Sequence, residues 1–224
     1  MRKRYIKNMN MLTEEEISKV NSGRVCVIGC GGLGGFVIEG LVRLGFENMT
    51  IVDNDVFDQT NLNRQLLANE SNISASKSLI ASERIKKINS NCTVNPITLK
   101  FDQKFGRKII ANHDIVIDAV DNAKTKLLIE EYCKELKIPM VHGAIGGWFG
   151  QVANIMPGDD LLKKIYAHEQ EGIETELGNP SFTPAVIANI MVSEALKIYL
   201  DKDILSNQLL TVDLLNNEFE KIDF

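Results

Sequence analysis

The chain has 224 residues, enough to bury a substantial core in one α/β domain. With 44% hydrophobic and 25% charged residues it has the composition of an ordinary soluble protein, and no apolar run approaches the roughly 20 residues of a membrane span. A net charge of −5 offers no general basic surface to nucleic acid, and no apolar stretch follows Met1-Arg2-Lys3-Arg4-Tyr5 as a signal peptide would require. The expected location is the cytoplasm, with neither membrane nor nucleic acid as a partner.

In chain order, residues 1 to 12 carry Arg2, Lys3, Arg4 and Lys7 and read as a solvated basic arm. Thr13-Glu14-Glu15-Glu16 has the form of a capping box, opening a short helix that stops at Asn21-Ser22-Gly23. An apolar, β-branched run from Val25 to Ile28 then meets a glycine cluster, Gly29-Cys30-Gly31-Gly32-Leu33-Gly34. The helical pattern that follows places Val37, Ile38, Leu41 and Val42 near one face. Strand, tight turn and helix together make a nucleotide fingerprint. One glycine makes the turn, one admits a phosphate to the backbone, and one lets helix and strand approach. The phosphate would sit on the helix N-terminus, where free N–H groups and the helix dipole favour an anion. Met49 to Val52 is the next strand, and Asp53 at its end stands at ribose-binding distance. This block says nucleotide without saying which.

Residues 54 to 65 form a polar loop. Ser74 or Ser76 can cap the next helix, whose first turn holds Lys77. A lysine there opposes the helix dipole, so an anion is expected nearby. Thr93 to Leu99 is a strand, and its Pro96 places it at a sheet edge. Asp114 to Ala119 is a buried parallel strand ending in Val120-Asp121-Asn122. Lys124 to Lys137 is a helix, and Pro139 to His142 the next strand. The stretch from Gly143 to Gly150 is glycine-rich around Trp148 and Phe149, and Gln151 to Met156 resumes a strand. Residues 157 to 182 read as a long loop with a short helix near Leu161 to His168, and a loop of that length is usually functional. Phe182 to Leu200 is an apolar helix with Thr183 as N-cap and Pro184 at its first position. Gln208 to Asp213 and Glu218 to Asp223 close the chain as an antiparallel hairpin. The expected fold is one Rossmann-like α/β domain over residues 1–224. Its largely parallel sheet is flanked by helices, residues 1–23 form an N-terminal arm and helix, and residues 157–182 form a crossover loop.

Cys26, Cys30, Cys92 and Cys133 form no C-x-x-C pair, and His113, His142 and His168 are scattered. No zinc site is expected. Cys26 and Cys30 read as small packing residues.

In an open α/β sheet, ligands bind beyond the carboxyl ends of the strands. Gly29, Asp53 and Asp121 fall at such ends, with Arg64 and Lys77 in the connections after the second strand. Two carboxylates, two cations and a bare backbone turn suit nucleotidyl transfer better than hydride transfer. The negative charge that builds on the phosphates is what Arg, Lys and Mg²⁺ stabilise.

The combination Gly29-Cys30-Gly31-Gly32-Leu33-Gly34, Asp53-Asn54-Asp55, Asn61-Leu62-Asn63-Arg64-Gln65, Lys77 and Asp118-Ala119-Val120-Asp121-Asn122 resembles the ThiF/MoeB/HesA family. These are bacterial relatives of the adenylation domains of ubiquitin-activating enzymes. The resemblance implies that Gly29, Gly31, Gly32 and Gly34 hold the ATP phosphates and that Asp53, with Asp55 beside it, takes the ribose. Asn61, Arg64, Gln65 and Lys77 would face the phosphate chain. Asp121 would position Mg²⁺, with Asn122 beside it. The implied reaction adenylates the C-terminal glycine carboxylate of a small ubiquitin-like sulfur carrier ending in Gly-Gly, in thiamine or molybdopterin biosynthesis, and releases pyrophosphate. Other readings are a tRNA-nucleoside-activating dehydratase of the same superfamily, an NAD-dependent oxidoreductase, and a nucleotide binder without turnover. The resemblance also implies a homodimer in which an N-terminal arginine reaches the partner's site. Family members often begin Arg-Tyr-x-Arg-Gln, whereas this chain reads Arg4-Tyr5-Ile6-Lys7-Asn8, which puts Lys7 in the arginine's place. The paired C-x-x-C motifs of many members are absent. The loop from 157 to 182 holds no cysteine, so adenylation alone is expected, with Trp148 and Phe149 either lining the carrier's groove or packing in the core.

Overall fold

A computed structural model describes residues 3–166 and 177–224. One sheet of eight strands forms its centre: β1 (Arg24–Ile28), β2 (Asn48–Val52), β3 (Thr93–Ile97), β4 (Ile115–Asp118), β5 (Met140–Gly146), β6 (Phe149–Ile155), β7 (Gln208–Asp213) and β8 (Glu218–Asp223). Their order is β3-β2-β1-β4-β5-β6-β7-β8. The first five strands in that order are parallel, and β6, β7 and β8 each pair antiparallel with the strand before. Pro96 lies on β3, which among the described residues pairs only with β2, so its missing N–H costs no ladder bond.

The parallel strands read as nearly continuous apolar runs because helices cover both faces. On one face Val25, Val27, Ile51 and Ile117 pack against α2 (Gly32–Leu44), α3 (Lys77–Ile88) and the C-terminal helix. On the other, Cys26, Ile28, Val52 and Val116 pack against α4 (Gly106–Ile110), α5 (Ala123–Leu136) and α6 (Leu161–Ile165). Alternate residues of one strand therefore serve two cores.

The N-terminal segment is no solvated tail. Lys3–Asn8 form a 3₁₀ turn in which Tyr5 is buried and its hydroxyl donates to Glu47 Oε1 at 2.8 Å. Arg4 Nη1 donates to the Ile88 carbonyl at 3.2 Å, and Lys7 stays exposed. The expected capping box opens α1 (Glu14–Ser22), with both reciprocal bonds between Thr13 and Glu16 present. Ser76 stands at the N-cap of α3 but makes no side-chain cap bond.

The C-terminal helix α7 spans Phe182–Tyr199, with Ser181 at its N-cap position. Thr183 is therefore not the cap, and Pro184 sits third in the helix rather than first. The Thr183 hydroxyl donates instead to the Gly147 carbonyl at 2.6 Å, tying α7 to the turn between β5 and β6. The expected end of the short helix at His168 falls outside the described residues.

Candidate active site

The cleft lies along the carboxyl ends of β1, β2, β3 and β4. Gly29 follows β1 with φ +98°, and a Cβ there would meet the Ala119 carbonyl oxygen at 2.4 Å. Only glycine holds that turn. At Gly34 a Cβ would stand 1.8 Å from the Gly29 carbonyl oxygen, so this glycine lets α2 lie against the strand end. At Gly31 the nearest atom would be Gln65 Nε2, 3.7 Å away, and at Gly32 it would be Pro184 Cβ, 3.8 Å away. The space over these two glycines is open at the N-terminus of α2, whose first-turn N–H groups have no acceptor within the helix, a geometry that suits an anion.

Asp53, before any ligand, braces the turn. Its Oδ2 accepts from Cys30 N at 2.7 Å and its Oδ1 from Asp55 N at 2.8 Å. Burial pushes its carboxyl above the usual range, against those two bonds and the nearby Lys77 ammonium. Lys77 is buried at the start of α3, and its Nζ lies 3.5 Å from Asp55 Oδ2. That carboxylate answers part of its charge and leaves it directed at the cleft. Burial holds the Cys30 thiol protonated, well above its ordinary pKa, so Cys30 packs and does not react.

Gly29, Gly31, Gly32, Asp53, Asp55, Arg64, Gln65, Lys77, Asp121 and Asn122 line this one cleft. Gly34 and Asn61 stand behind it. Asn61 is buried and its Oδ1 accepts from Asp58 N at 3.2 Å, which holds the turn that presents Arg64. Arg64 Nη1 donates to the Thr60 carbonyl and to Asn63 Oδ1, both at 2.9 Å. Among the described residues, Gln65 Oε1 is buried without a hydrogen-bond partner, an acceptor left open beside the glycine turn. Asn122 caps α5 by accepting from Thr125 N at 2.9 Å.

Leu99, Lys100 and Phe101 also line the cleft, and sequence reasoning did not name them as site residues. They follow β3, whose parallel pairing brings its carboxyl end to the same edge. The signal that could have found them is the strand Thr93 to Leu99 itself, since a parallel pairing with β2 would bring its carboxyl end to the cleft.

Asp121 and Ile145 also border a second groove of about 450 Å³, lined by Lys126, Phe149, Gln151, Tyr166, Thr211, Asp213, Glu218 and Glu220. Trp148 and Phe149 are both exposed, so the core-packing reading of this pair fails. Phe149 faces the groove and Trp148 packs against Phe182 with ring centroids 4.5 Å apart and the planes tilted by 43°. Beneath the groove runs a polar chain that sequence reasoning missed. Asp118 Oδ2 lies 2.7 Å from His142 Nδ1 and 3.4 Å from Lys126 Nζ, all of them buried. Lys126 also donates to the Gly143 carbonyl at 3.1 Å. His142 Nε2 lies 3.1 Å from the Tyr166 hydroxyl, to which Gln151 Nε2 donates at 2.9 Å. Burial and the Lys126 charge hold the His142 pKa below its usual value, so the ring is neutral at pH 7. With Nδ1–H donated to Asp118, its Nε2 accepts from Tyr166.

Among the described residues no group of three or more His, Cys, Asp or Glu side chains forms a metal cage. Mg²⁺ needs none, because it keeps waters and is usually held by one or two carboxylates plus substrate phosphates. Asp121, exposed at the cleft edge, fits that role. Among the described residues no helix is long and apolar enough to cross a membrane.

The chain is similar to the SAMP-activating enzyme E1 of Haloferax volcanii, at 29% identity over 96% of this chain and 82% of that protein. It is similar to a tRNA threonylcarbamoyladenosine dehydratase of Haemophilus influenzae, at 41% identity over 63% of this chain and 54% of that protein. A probable molybdopterin-synthase adenylyltransferase of Porphyra purpurea is 32% identical over 97% of this chain, which spans 59% of that protein. In fold, the crystal structure of E. coli MccB with ATP matches with a TM-score of 0.84 at 18% identity, over 100% of this chain and 72% of that one. The ThiF family model matches residues 3–224, and the chain belongs to the ThiF family.

Proposed function

We propose that this protein uses ATP and Mg²⁺ to adenylate the C-terminal carboxylate of a small ubiquitin-like sulfur carrier. The observation that carries the reading is the meeting of two spaces at Asp121 and Ile145. One is a cleft with a bare glycine turn, Lys77 and Arg64, and the other is a peptide-sized groove. The relatives named as a SAMP-activating enzyme and a molybdopterin-synthase adenylyltransferase support ATP over NAD.

In this mechanism the α2 N-terminus and Gly31–Gly32 take the phosphates, and Asp53 and Asp55 orient the ribose. Asp121 would hold Mg²⁺, which would supply positive charge against the phosphate oxygens. The carrier's carboxylate oxygen attacks the α-phosphorus. The bond from that phosphorus to the bridging oxygen breaks, and pyrophosphate leaves with the electron pair. The carrier supplies its own nucleophile, so the chain needs none. Lys77 and Arg64 face the charge that develops on the leaving group. The products are a carrier acyl-adenylate and pyrophosphate. Sulfur then comes from another protein in the same cytoplasmic pathway.

Mg²⁺-dependent ATP–pyrophosphate exchange, run with Gly-Gly-terminated carriers, tests this reading. Exchange that needs a carrier and is lost in Asp121→Ala supports it. Exchange that survives both Asp121→Ala and Lys77→Ala refutes it. The 41% identity to a tRNA-modifying dehydratase supports a second acceptor of the same chemistry, a carboxylate on a tRNA nucleoside. Exchange stimulated by tRNA and by no carrier would establish that alternative.

A further inference from the structure

Strand register lays out one wall of the groove. Phe149, Asp213 and Glu218 form one cross-strand row, and Gln151, Thr211 and Glu220 form the next. Asp213 and Glu218 are direct partners, and like charges directly opposite destabilise a sheet. The Asp213 carboxylate is partly satisfied by its own turn, accepting from Leu215 N at 2.9 Å and Asn216 Nδ2 at 2.8 Å. Glu218 and Glu220 form no ion pair among the described residues. The nearest lining cation, Lys126, is committed to Asp118 and the Gly143 carbonyl on the groove floor. On that floor the carboxamide nitrogen of Gln151 is turned inward to Tyr166 and His142, leaving its oxygen to accept from an occupant. The groove thus offers the Gln151 side-chain oxygen as an acceptor on its floor, an open end at the ATP cleft, and an acidic wall without a cation partner among the described residues.

We propose that this groove selects an extended tail carrying a lysine or arginine, which Glu218 and Glu220 receive. The proposal rests on the adenylation reading and adds the charge of the tail and the place of that charge. Ile145, on β5, borders the cleft, and Glu218 lies on β8, three strand spacings away. Three spacings of about 4.8 Å make about 14 Å. An extended chain covers that span in about four residues at about 3.5 Å each. The cationic residue therefore precedes the residue at Ile145 by about four positions.

The test uses fluorescently labelled synthetic peptides of eight residues ending in Gly-Gly, with Lys or Glu four residues before the penultimate glycine, and the full chain with ATP and Mg²⁺. The Lys peptide is expected to bind about tenfold or more tighter than the Glu peptide, and the gap should shrink in high salt. The double variant Glu218→Lys/Glu220→Lys should reverse the preference. The neutral variant Glu218→Gln/Glu220→Gln, less demanding on folding, should abolish it. Equal binding of both peptides to the wild type, or binding of neither, overturns the proposal, as does discrimination that persists in the neutral variant. Selective binding without any pyrophosphate exchange would uphold the groove and refute the adenylation reading.

Discussion

His142 Nδ1 lies 2.7 Å from Asp118 Oδ2, and neither side chain has exposed surface. Burial alone would raise the Asp118 carboxyl, but the Lys126 ammonium and the His142 hydrogen bond override it and hold its pKa low. Asp118 also accepts from Val120 N at 3.1 Å, so it braces the loop that carries Asp121. Removing the carboxylate would leave the Lys126 ammonium buried and uncompensated. Asp118→Ala is expected to lose about 3–5 kcal/mol of stability, read by urea unfolding. A loss under 1 kcal/mol would show that water or backbone carbonyls already satisfy Lys126.

The same pair sets a pH dependence. The folded pKa of His142 lies below its unfolded value, so at mildly acidic pH the unfolded chain binds the extra proton. Stability should fall as pH drops below about 6.5. His113, whose pKa burial also lowers, contributes in the same direction. Each group adds at most about 1.4 kcal/mol per pH unit. The low Asp118 pKa adds its own loss only at more acidic pH, as pH falls through the folded value. Urea unfolding between pH 7.5 and 5 should show this slope, and His142→Gln should reduce it without abolishing it. A slope unchanged in His142→Gln would place the titration elsewhere.

Two glycines of the turn should separate folding from binding. Gly34→Ala places a Cβ 1.8 Å from the Gly29 carbonyl oxygen, which the helix cannot yield without leaving the strand. It is expected to unfold or to melt far below the wild type. Gly31→Ala meets nothing nearer than 3.7 Å and should fold, while its methyl occupies the space proposed for phosphate. Calorimetric titration should then show ATP binding weakened by about tenfold or more, given that displacing close backbone contact costs at least one charge-assisted hydrogen bond. Normal ATP affinity in Gly31→Ala would move the phosphates off this turn.

Much of this was legible because the signals were local. The run from Val25 to Gly34 encodes strand, turn and helix within ten residues, and Pro96 alone marks its strand as an edge. Thr183 misled because Thr-Pro at a helix start is locally consistent with capping, whereas its hydroxyl is taken by a carbonyl 36 residues earlier. The Asp118–His142–Lys126 chain was invisible for the same reason. His142 reaches Asp118 through the pairing of β4 with β5, 24 residues apart, and no periodicity announces a contact between neighbouring strands. Asn61 matched a motif, yet in the fold its carboxamide accepts within a turn, and of that motif Arg64 and Gln65 line the cleft.

Lys77 should separate chemistry from binding. It is buried at the cleft with Asp55 3.5 Å away, so its ammonium is held in place before any phosphate arrives. Losing a preorganised cation aimed at developing charge typically costs about 10²–10³ in rate. Lys77→Ala is expected to lower exchange at saturating ATP by that factor. Lys77→Arg should recover little, because the planar fork does not fit a site shaped for a compact ammonium. Full exchange in Lys77→Ala would remove it from the reaction.

Lys7 tests the homodimer. It is exposed on an arm that Tyr5 and Arg4 pin to its own subunit, so it is free to face a second copy. If Lys7 completes the partner's site, Lys7→Ala and Asp121→Ala disable every site of their own homodimers. In a mixed dimer one site inherits both lesions and the other is intact. Random exchange of subunits should then restore about a quarter of wild-type exchange from two inactive variants, the fraction that two-fold symmetry dictates. Recovery after mixing would establish both the dimer and the crossing of Lys7. Full activity of Lys7→Ala alone would remove Lys7 from the site, and two inactive variants that stay inactive when mixed as a dimer would confine both residues to one subunit.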